Sequence, residues 1–354
     1  MLLSLLEFYS FKYEGPQLMN SNSNNNSNNN NSNNNSNNNN NILYLVVPCY
    51  NEEEILPSTA TVLKNKLQNL IKKNKISENS KIMFVNDGSN DDTWNIIQNL
   101  NSADKIFTGI SLSKNKGHQN ALLAGLLTAK QRCDFTISLD ADLQDDVNAI
   151  DEMIEKYLNG CDIVYGIRSS RQTDSFFKKT TANLFYKLMN SLGAKTIYNH
   201  ADFRLMNKKS LNALEKFKEV NLFLRGMVPL IGFKTGKVFY ERKKRKAGIS
   251  KYTLKKMVLF AIDGISSCST KLISLIFKIG LSTIVLAFLI PVFCKMFNVL
   301  FLDLKWQVLV SSLWLLSGLN LIATAVVGLY VGKIYLEVKH RPRYIIDVDL
   351  ENLE

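Results

Sequence analysis

The chain has 354 residues, of which 46% are apolar, so it is long enough for a large core and more than one structural part. Its three histidines are far apart and its five cysteines form no CxxC pair, which argues against a zinc site or a disulfide framework. The formal net charge is +12, and much of the excess lies between Tyr240 and Lys256, beside apolar sequence. This placement suggests that the basic segment binds an anionic membrane surface or a phosphate ligand rather than a nucleic acid. A solvated lysine-rich face is the alternative.

Residues 20–41 are only Asn and Ser. Such a tract cannot bury apolar surface, so we expect residues 1–41 to be a disordered N-terminal extension with no part in the chemistry.

From Ile42 onward, short apolar runs alternate with helical patterns. Strands are predicted at residues 42–48, 81–85, 106–112, 135–139 and 162–165, with helices at 53–73, from 91, at 119–130 and at 147–158. This rhythm predicts an α/β domain over residues 42–250 with a mostly parallel sheet and helices on both faces. Ligands of such sheets bind at the carboxyl edge of the strands.

The C-terminal third is different in composition. Leu272–Phe293 is apolar except for Lys278, and Val308–Gly332 has no charged residue. Each stretch can cross a bilayer, which takes roughly 20 residues, although buried core helices are the alternative. Both flanks are basic, which predicts a two-pass hairpin within residues 272–332, with the α/β domain and a tail at 333–354 in the cytosol.

Two amphipathic stretches suggest interfacial helices. They are Phe176–Leu188 and Tyr252–Ile265, the latter within a juxtamembrane segment predicted at 251–271. Membrane lipids are therefore expected partners of the chain.

The strongest chemical signal follows the fourth predicted strand, where the sequence reads SLDADLQDD. Asp140 and Asp142 stand two residues apart at the strand end, and hard carboxylate oxygens in this arrangement can bind Mg²⁺ or Mn²⁺ together with a diphosphate. An acidic turn that caps the next helix, through Asp145 and Asp146, is the plainer reading, but it leaves Asp140 unexplained.

Two further strand ends carry polar motifs. VPCYNEE follows the first strand and VNDGSNDDT the second, both at the edge where a nucleotide would lie. Asp87 can accept hydrogen bonds from a base or ribose, and Gly88 permits a sharp turn.

Taken together, PCYNEEE, VNDGSNDDT, LDADLQDD, ADFRLM and AGISKY resemble the GT-A glycosyltransferases of family 2. The similarity is greatest to the polyprenyl-phosphate branch, which includes bactoprenol glucosyltransferases and dolichyl-phosphate mannose and glucose synthases. It covers about residues 42–343.

The resemblance implies a role for each matching residue. Asp140 and Asp142 would bind the metal, Asp202 and Arg204 would lie at the reacting centre, and the remaining positions divide between the two substrates. Donor-binding positions would be Pro48, Tyr50, Glu52, Asp87, Asp140 and Gln144, and acceptor-phosphate positions would be Arg168, Arg171, Arg242, Ser250 and Lys251.

The implied reaction is an inverting transfer of one sugar from a nucleotide-sugar to a dolichyl or undecaprenyl phosphate. The two-span pattern favours UDP-glucose over GDP-mannose as donor. A lipid monophosphate is already ionised, so the site must supply alignment and cations rather than a strong base. Asp202 would orient the acceptor or an arginine.

Other functions remain as alternatives. A processive synthase would carry a QxxRW signature, which is missing, and the GFKTGK run at 232–237 is one residue too short for a phosphate-binding P-loop. A non-enzymatic membrane scaffold and homo-oligomerisation stay open.

Overall fold

The computed structural model describes residues 41–169, 200–220, 222–241 and 304–352, together with four single positions between 276 and 282. The predicted N-terminal extension, both amphipathic stretches and nearly all of the first predicted span lie outside the described residues.

One sheet contains the eight strands of the described chain. In chain order they are β1 (Leu43–Cys49), β2 (Lys81–Asn86), β3 (Phe107–Leu112), β4 (Phe135–Ser138), β5 (Ile163–Arg168), β6 (His200–Asn207), β7 (Thr235–Tyr240) and β8 (Ile346–Asp349). In space the order is β7-β5-β6-β4-β1-β2-β3-β8. The pairs β1–β2, β1–β4, β2–β3 and β5–β7 are parallel, whereas β6 and β8 run antiparallel to their neighbours.

The described residues also form helices. They are α1 (Leu56–Lys72), α2 (Thr93–Ala103), α3 (His118–Ala129), α4 (Ala149–Leu158), α5 (Lys208–Glu215), α6 (Leu224–Met227) and α7 (Leu304–Val338), with a 3₁₀ turn at Val228–Ile231. Apolar residues of α1, α2 and α4 pack in one core cluster, and those of α3, α5 and α6 pack in a second cluster. The predicted α/β domain with a mostly parallel sheet and helices on both faces is therefore confirmed.

The five predicted strands are present, with ends shifted by at most three residues, and β6, β7 and β8 are additional. The GFKTGK run forms no P-loop, because its last residues begin the edge strand β7, which pairs in parallel with β5.

Residues 333–354 differ from the predicted cytosolic tail. Helix α7 continues to Val338, and β8 then pairs with β3, while Leu350 is buried in the core. The α/β domain therefore includes residues from the end of the chain, because the edge of β3 gains hydrogen bonds and Leu350 leaves water.

Charged side chains hold this C-terminal segment against the amino edge of the sheet. Arg132 Nη2 lies 2.5 Å from Asp349 Oδ2, and its Nη1 lies 2.6 Å from Glu351 Oε2. Glu351 also pairs with Lys81 and accepts a hydrogen bond of 2.9 Å from the Tyr44 hydroxyl. The guanidinium thus joins two carboxylates in a partly buried position.

Helix α7 is the one helix of the described chain that is long and apolar enough to cross a membrane, over Leu315–Val338. It covers the second predicted span and extends beyond it at both ends. Near its C-terminus, both oxygens of Glu337 accept hydrogen bonds from the Val220 backbone N–H, at 2.9 and 2.8 Å. Arg343 donates to the Phe217 carbonyl at 2.6 Å. The helix end is therefore attached to the segment between α5 and α6.

The β8 attachment predicts a stability effect. Replacement Arg132→Ala should lower the free energy of unfolding by about 1–3 kcal/mol, because it leaves Asp349 partly buried without its cation and Glu351 with Lys81 alone. Thermal or denaturant unfolding in detergent measures the change. The matched control is Lys64→Ala, which breaks the more exposed Lys64–Asp104 pair and should cost roughly 0–1 kcal/mol. Equal losses in the two variants would contradict the attachment.

Candidate active site

The loops after β1 and β2 interlock at the carboxyl edge of the sheet. The Asn51 N–H donates to Ser89 Oγ at 3.1 Å, and the Asn90 N–H donates back to Asn51 Oδ1 at 2.9 Å. The Glu52 N–H donates to Thr93 Oγ1 at 2.9 Å. Asn51 itself has a left-handed φ of 52°, a conformation that asparagine tolerates better than most residues. These bonds give the two polar motifs one fixed relative arrangement.

The predicted donor positions on these loops differ in accessibility. Pro48 is buried within β1, Glu52 is half-buried, and Tyr50 is exposed. Tyr50 therefore offers the accessible ring at this edge.

Asp87 is almost completely buried and supports a neighbouring loop. Its Oδ1 accepts from the Lys116 N–H at 2.7 Å, and its Oδ2 accepts from the Gly117 N–H at 2.9 Å. Burial raises the pKa of Asp87, while these two bonds oppose the shift. Asp87 thus holds the loop between β3 and α3, so the loop after β2 and the start of α3 are one unit.

The loop between β4 and α4 carries Asp140 and Asp142, both half-buried. The Gln144 N–H donates to Asp142 Oδ1 at 3.2 Å, and the Gln144 side chain is buried. On the other side, Thr59 Oγ1 donates to the Ala141 carbonyl at 2.7 Å. The two carboxylates are therefore carried on a loop with defined anchors.

Asp202 lies beside this loop because β6 pairs with β4. The register places Ser138 opposite Arg204, and Ser138 Oγ donates to the Asp202 carbonyl. The Asp202 carboxylate is buried and receives two arginines: Arg204 Nη2 at 2.5 Å from Oδ1 and Arg225 Nη2 at 2.9 Å from Oδ2. Burial alone would raise the pKa of Asp202, but Arg225, His118 and Arg204 hold it well below its usual range. Asp202 is thus an ionised, oriented carboxylate.

Arg204 is fully buried, and its Nη1 also donates to the Leu224 carbonyl at 3.4 Å. Arg225 is partly exposed and approaches Asp202 with two nitrogens, so of the two arginines it is the one open to solvent.

His118, the first residue of α3, bridges the two acidic centres. Its Nε2 lies 3.5 Å from Asp140 Oδ1 and 3.5 Å from Asp202 Oδ2. Burial would lower the pKa of His118, but Asp202 and Asp140 raise it to about 8. Burial, together with the carboxylates of Asp202, Asp145 and Asp142, raises the pKa of Asp140, and His118 opposes this shift.

His118 and Arg225 were not among the predicted site residues. His118 follows Gly117 in KNKGHQ, directly after a strand, so the strand-end pattern could have found it. Arg225 could not be found in this way, because it follows no predicted strand. Its partner Asp202 reaches this edge only through the pairing of β6 with β4.

The predicted acceptor residues are described only in part. Arg168, at the end of β5, donates to Asp145 Oδ1 at 3.2 Å. Arg171, Arg242, Ser250 and Lys251 lie outside the described residues.

The donor set of the candidate metal site consists of hard carboxylate oxygens, the type that Mg²⁺ and Mn²⁺ prefer. In the described ranges, no group of three or more His, Cys, Asp or Glu side chains is placed to hold an ion. Asp140 and Asp142 could therefore supply part of a coordination sphere whose remaining ligands come from substrate or water. A cation at this position would offset the burial and the neighbouring carboxylates that together raise the pKa of Asp140.

Comparison with known proteins finds relatives that are named as glycosyltransferases. Residues 44–214 match the family described as Glycosyl transferase family 2. A Bacillus subtilis (strain 168) protein, named uncharacterized glycosyltransferase YkoT, is 50% identical over 88% of this chain and 93% of its own length. The bactoprenol glucosyl transferase of Shigella phage SfV is 38% identical over 85% of this chain and 97% of its own length.

Among solved structures, glucosyl-3-phosphoglycerate synthase from Mycobacterium tuberculosis, in complex with Mn²⁺, uridine diphosphate and glucosyl-3-phosphoglycerate, is similar with a TM-score of 0.41. It is 15% identical and covers 64% of this chain and 78% of its own.

The contact between the loops after β2 and β3 predicts that Gly88 is indispensable. Its φ is +63°, and an added Cβ would lie 2.5 Å from Asn115 N and 2.6 Å from Lys114 C. Gly88→Ala should therefore displace the backbone that holds Asp87 and lower the melting temperature markedly. Gly117→Ala is the matched control, because its φ is +85° but its Cβ would meet nothing within 4 Å. Because its ψ of 152° puts Gly117 in a region essentially restricted to glycine, the control should show only that backbone cost, about 1–3 kcal/mol. Equal melting temperatures for the two variants would contradict the close contact.

Proposed function

This chain belongs to glycosyl transferase family 2, and on that premise we propose that it transfers a single sugar from a nucleotide-sugar to a polyprenyl phosphate at the cytosolic face of a membrane. That it is a glycosyltransferase follows from the family; the donor, the acceptor and the topology are the parts proposed.

The observation that carries the proposal is the cluster formed by Asp140, His118, Asp202 and Arg225 at the carboxyl edge of the sheet. It places oriented carboxylates and cations next to the loop of Asp142, where a nucleotide diphosphate and an acceptor phosphate would have to meet. The polyprenyl acceptor is supported by the 38% identity to a bactoprenol glucosyl transferase over most of the chain.

UDP-glucose is the favoured donor, because relatives that align over most of the chain are named glucosyl transferases. A GDP-mannose-dependent dolichyl-phosphate mannose synthase activity is the alternative. Tyr50, exposed at the edge, and Pro48, Glu52, Asp87 and Gln144 are proposed to form or support the donor site.

The chemistry needs no strong base. An ionised oxygen of the lipid phosphate attacks the anomeric carbon, the new C–O bond forms, and the bond to the diphosphate breaks with its electron pair leaving on the diphosphate. Asp202 stays ionised but is saturated by two arginines, so we propose that it orients Arg225 and His118 rather than taking a proton. Arg204, buried beneath it, acts as a positioning residue.

Asp140 and Asp142 would hold the Mg²⁺ or Mn²⁺ ion, which when bound supplies Lewis-acid stabilisation of the departing diphosphate. Arg168, Arg171, Arg242, Ser250 and Lys251 stay predicted acceptor-phosphate residues, and in this structure Arg168 is engaged by Asp145.

The sheet topology supports an even number of membrane crossings between β7 and β8. Strands β7 and β8 belong to one sheet and so to one side of any membrane, and α7 lies between them in sequence. If α7 crosses, a second crossing must lie between residue 241 and α7, and the apolar sequence Leu272–Phe293 has the required length. We therefore propose two crossings, with the α/β domain in the cytosol according to the basic flanks.

The metal assignment predicts that Asp142→Asn loses transfer activity by roughly a hundredfold or more, since even outer partners of a metal ligand typically matter 10–100-fold. Turnover in membranes, with melting temperature as a check on folding, measures this effect. The matched control is Asp134→Asn, which changes a carboxylate just before β4 that accepts from the Ile42 N–H. Full activity of Asp142→Asn, or of the wild type in excess EDTA, would refute the assignment.

The proposed function is tested by incubating membranes that contain the chain with radiolabelled UDP-glucose, other UDP-sugars or GDP-mannose and either undecaprenyl or dolichyl phosphate. We expect one labelled lipid from one nucleotide-sugar, absent with Asp142→Asn. If a correctly folded chain forms no labelled lipid from any donor, the transfer proposal is wrong and the scaffold alternative gains support.

A further inference from the structure

Asp145 follows the two candidate metal ligands on the loop between β4 and α4. It does not cap the helix, because α4 begins at Ala149 after Asn148. The Asp145 side chain is instead buried, and its Oδ1 accepts from the Tyr240 hydroxyl at 2.7 Å and from Arg168 at 3.2 Å. Within the described residues its Oδ2 is buried without a hydrogen-bond partner. This carboxylate therefore depends on Tyr240 and Arg168 for compensation.

These two partners come from the far side of the sheet. Arg168 ends β5 and Tyr240 ends β7, and both strands lie beyond β6 from the loop's own strand β4. The Tyr240 ring packs edge-on against the Phe203 ring of β6, with 5.4 Å between the ring centroids. The backbone carbonyl of Tyr240 accepts a hydrogen bond from the Ser169 N–H at 2.9 Å. Asp145 is thus joined to a rigid corner of the sheet.

Part of the loop held by Asp145 faces a cavity of about 400 Å³, lined by Val62, Asn65, Asp142, Leu143 and Asp145, among others. Beside this cavity, Thr59 of α1 holds the loop through the Ala141 carbonyl. Leu143 has a φ of +45°, a conformation that a branched residue keeps only when its surroundings impose it. Hydrogen bonds to Ala141 and Asp145, on either side of Leu143, therefore help to impose the shape of the loop.

We propose that Asp145, held by Tyr240 and Arg168, is a positioning residue that sets the geometry of Asp140 and Asp142 for the divalent ion; this inference rests on the metal assignment of the proposed function. Without the Tyr240 hydroxyl, Asp145 keeps only the hydrogen bond from Arg168. The loop is then attached less firmly to β7, and repulsion among its carboxylates can displace Asp140 and Asp142. Asp145 acts through the loop and does not need to touch a substrate.

The test is Tyr240→Phe, which removes only the hydroxyl and keeps the ring contact with Phe203. Mn²⁺ is titrated into the detergent-purified full chain, with and without UDP, and free Mn²⁺ is measured by electron paramagnetic resonance. We expect Mn²⁺ to bind about tenfold more weakly, as for other outer partners of metal ligands. Asp145→Asn, which keeps the size of the side chain, should change binding in the same direction.

The matched control is Tyr44→Phe, which removes a tyrosine–carboxylate hydrogen bond of 2.9 Å at the opposite edge of the sheet. It should leave Mn²⁺ binding unchanged even if its melting temperature falls as far as that of Tyr240→Phe. Wild-type Mn²⁺ affinity in a folded Tyr240→Phe variant would overturn the inference. A wild type that binds no Mn²⁺ would overturn the metal assignment itself, and this inference with it.

Discussion

A buried, ionised carboxylate at Asp202 is the constraint around which the site is built. Such a charge is tolerated only with close compensation, and here two arginines and His118 provide it from three separate segments of the chain. Strand β6 must lie antiparallel to β4 to bring Asp202 there, α6 must present Arg225, and α3 must begin at His118. The positions of these elements are therefore linked through one charge.

That linkage extends to the candidate membrane helix α7. The connection between α5 and α6, which leads to Arg225, accepts the end of α7 through the Glu337–Val220 and Arg343–Phe217 hydrogen bonds. The apolar helix and the acidic centre are consequently joined by a short stretch of backbone, which restricts the position of Asp202 relative to the end of the helix.

The parts of the fold that could be predicted are those with local signals. The first five strands are apolar runs, and because β1, β2 and β4 are parallel, the polar motifs at the ends of these strands, with Asp87 and Asp140, lie at one edge whatever the strand order. Strands β6 and β8 were not predicted: ADFRL in β6 and IDVD in β8 do alternate apolar and polar residues, but both runs are short and their partner strands are distant in sequence. Residue type alone also does not show which aspartates are structural and which are accessible to a ligand. Asp87 and Asp145 are buried and accept hydrogen bonds from residues distant in sequence, whereas Asp140 and Asp142 are half-buried. What a carboxylate does is decided by the donors opposite it, and those are known only once the chain is folded.

The pairing of β8 with β3 has a consequence for biosynthesis. Synthesis proceeds from the N-terminus, so β3 is complete long before residues 346–349 leave the ribosome. During that interval one edge of the sheet is unpaired, and Leu350 is not yet available to fill the core. The apolar helix α7 is made before β8, so the sheet can be completed only after this candidate membrane helix has been synthesised. A chain terminated early would carry every candidate catalytic residue on a sheet that lacks its last strand.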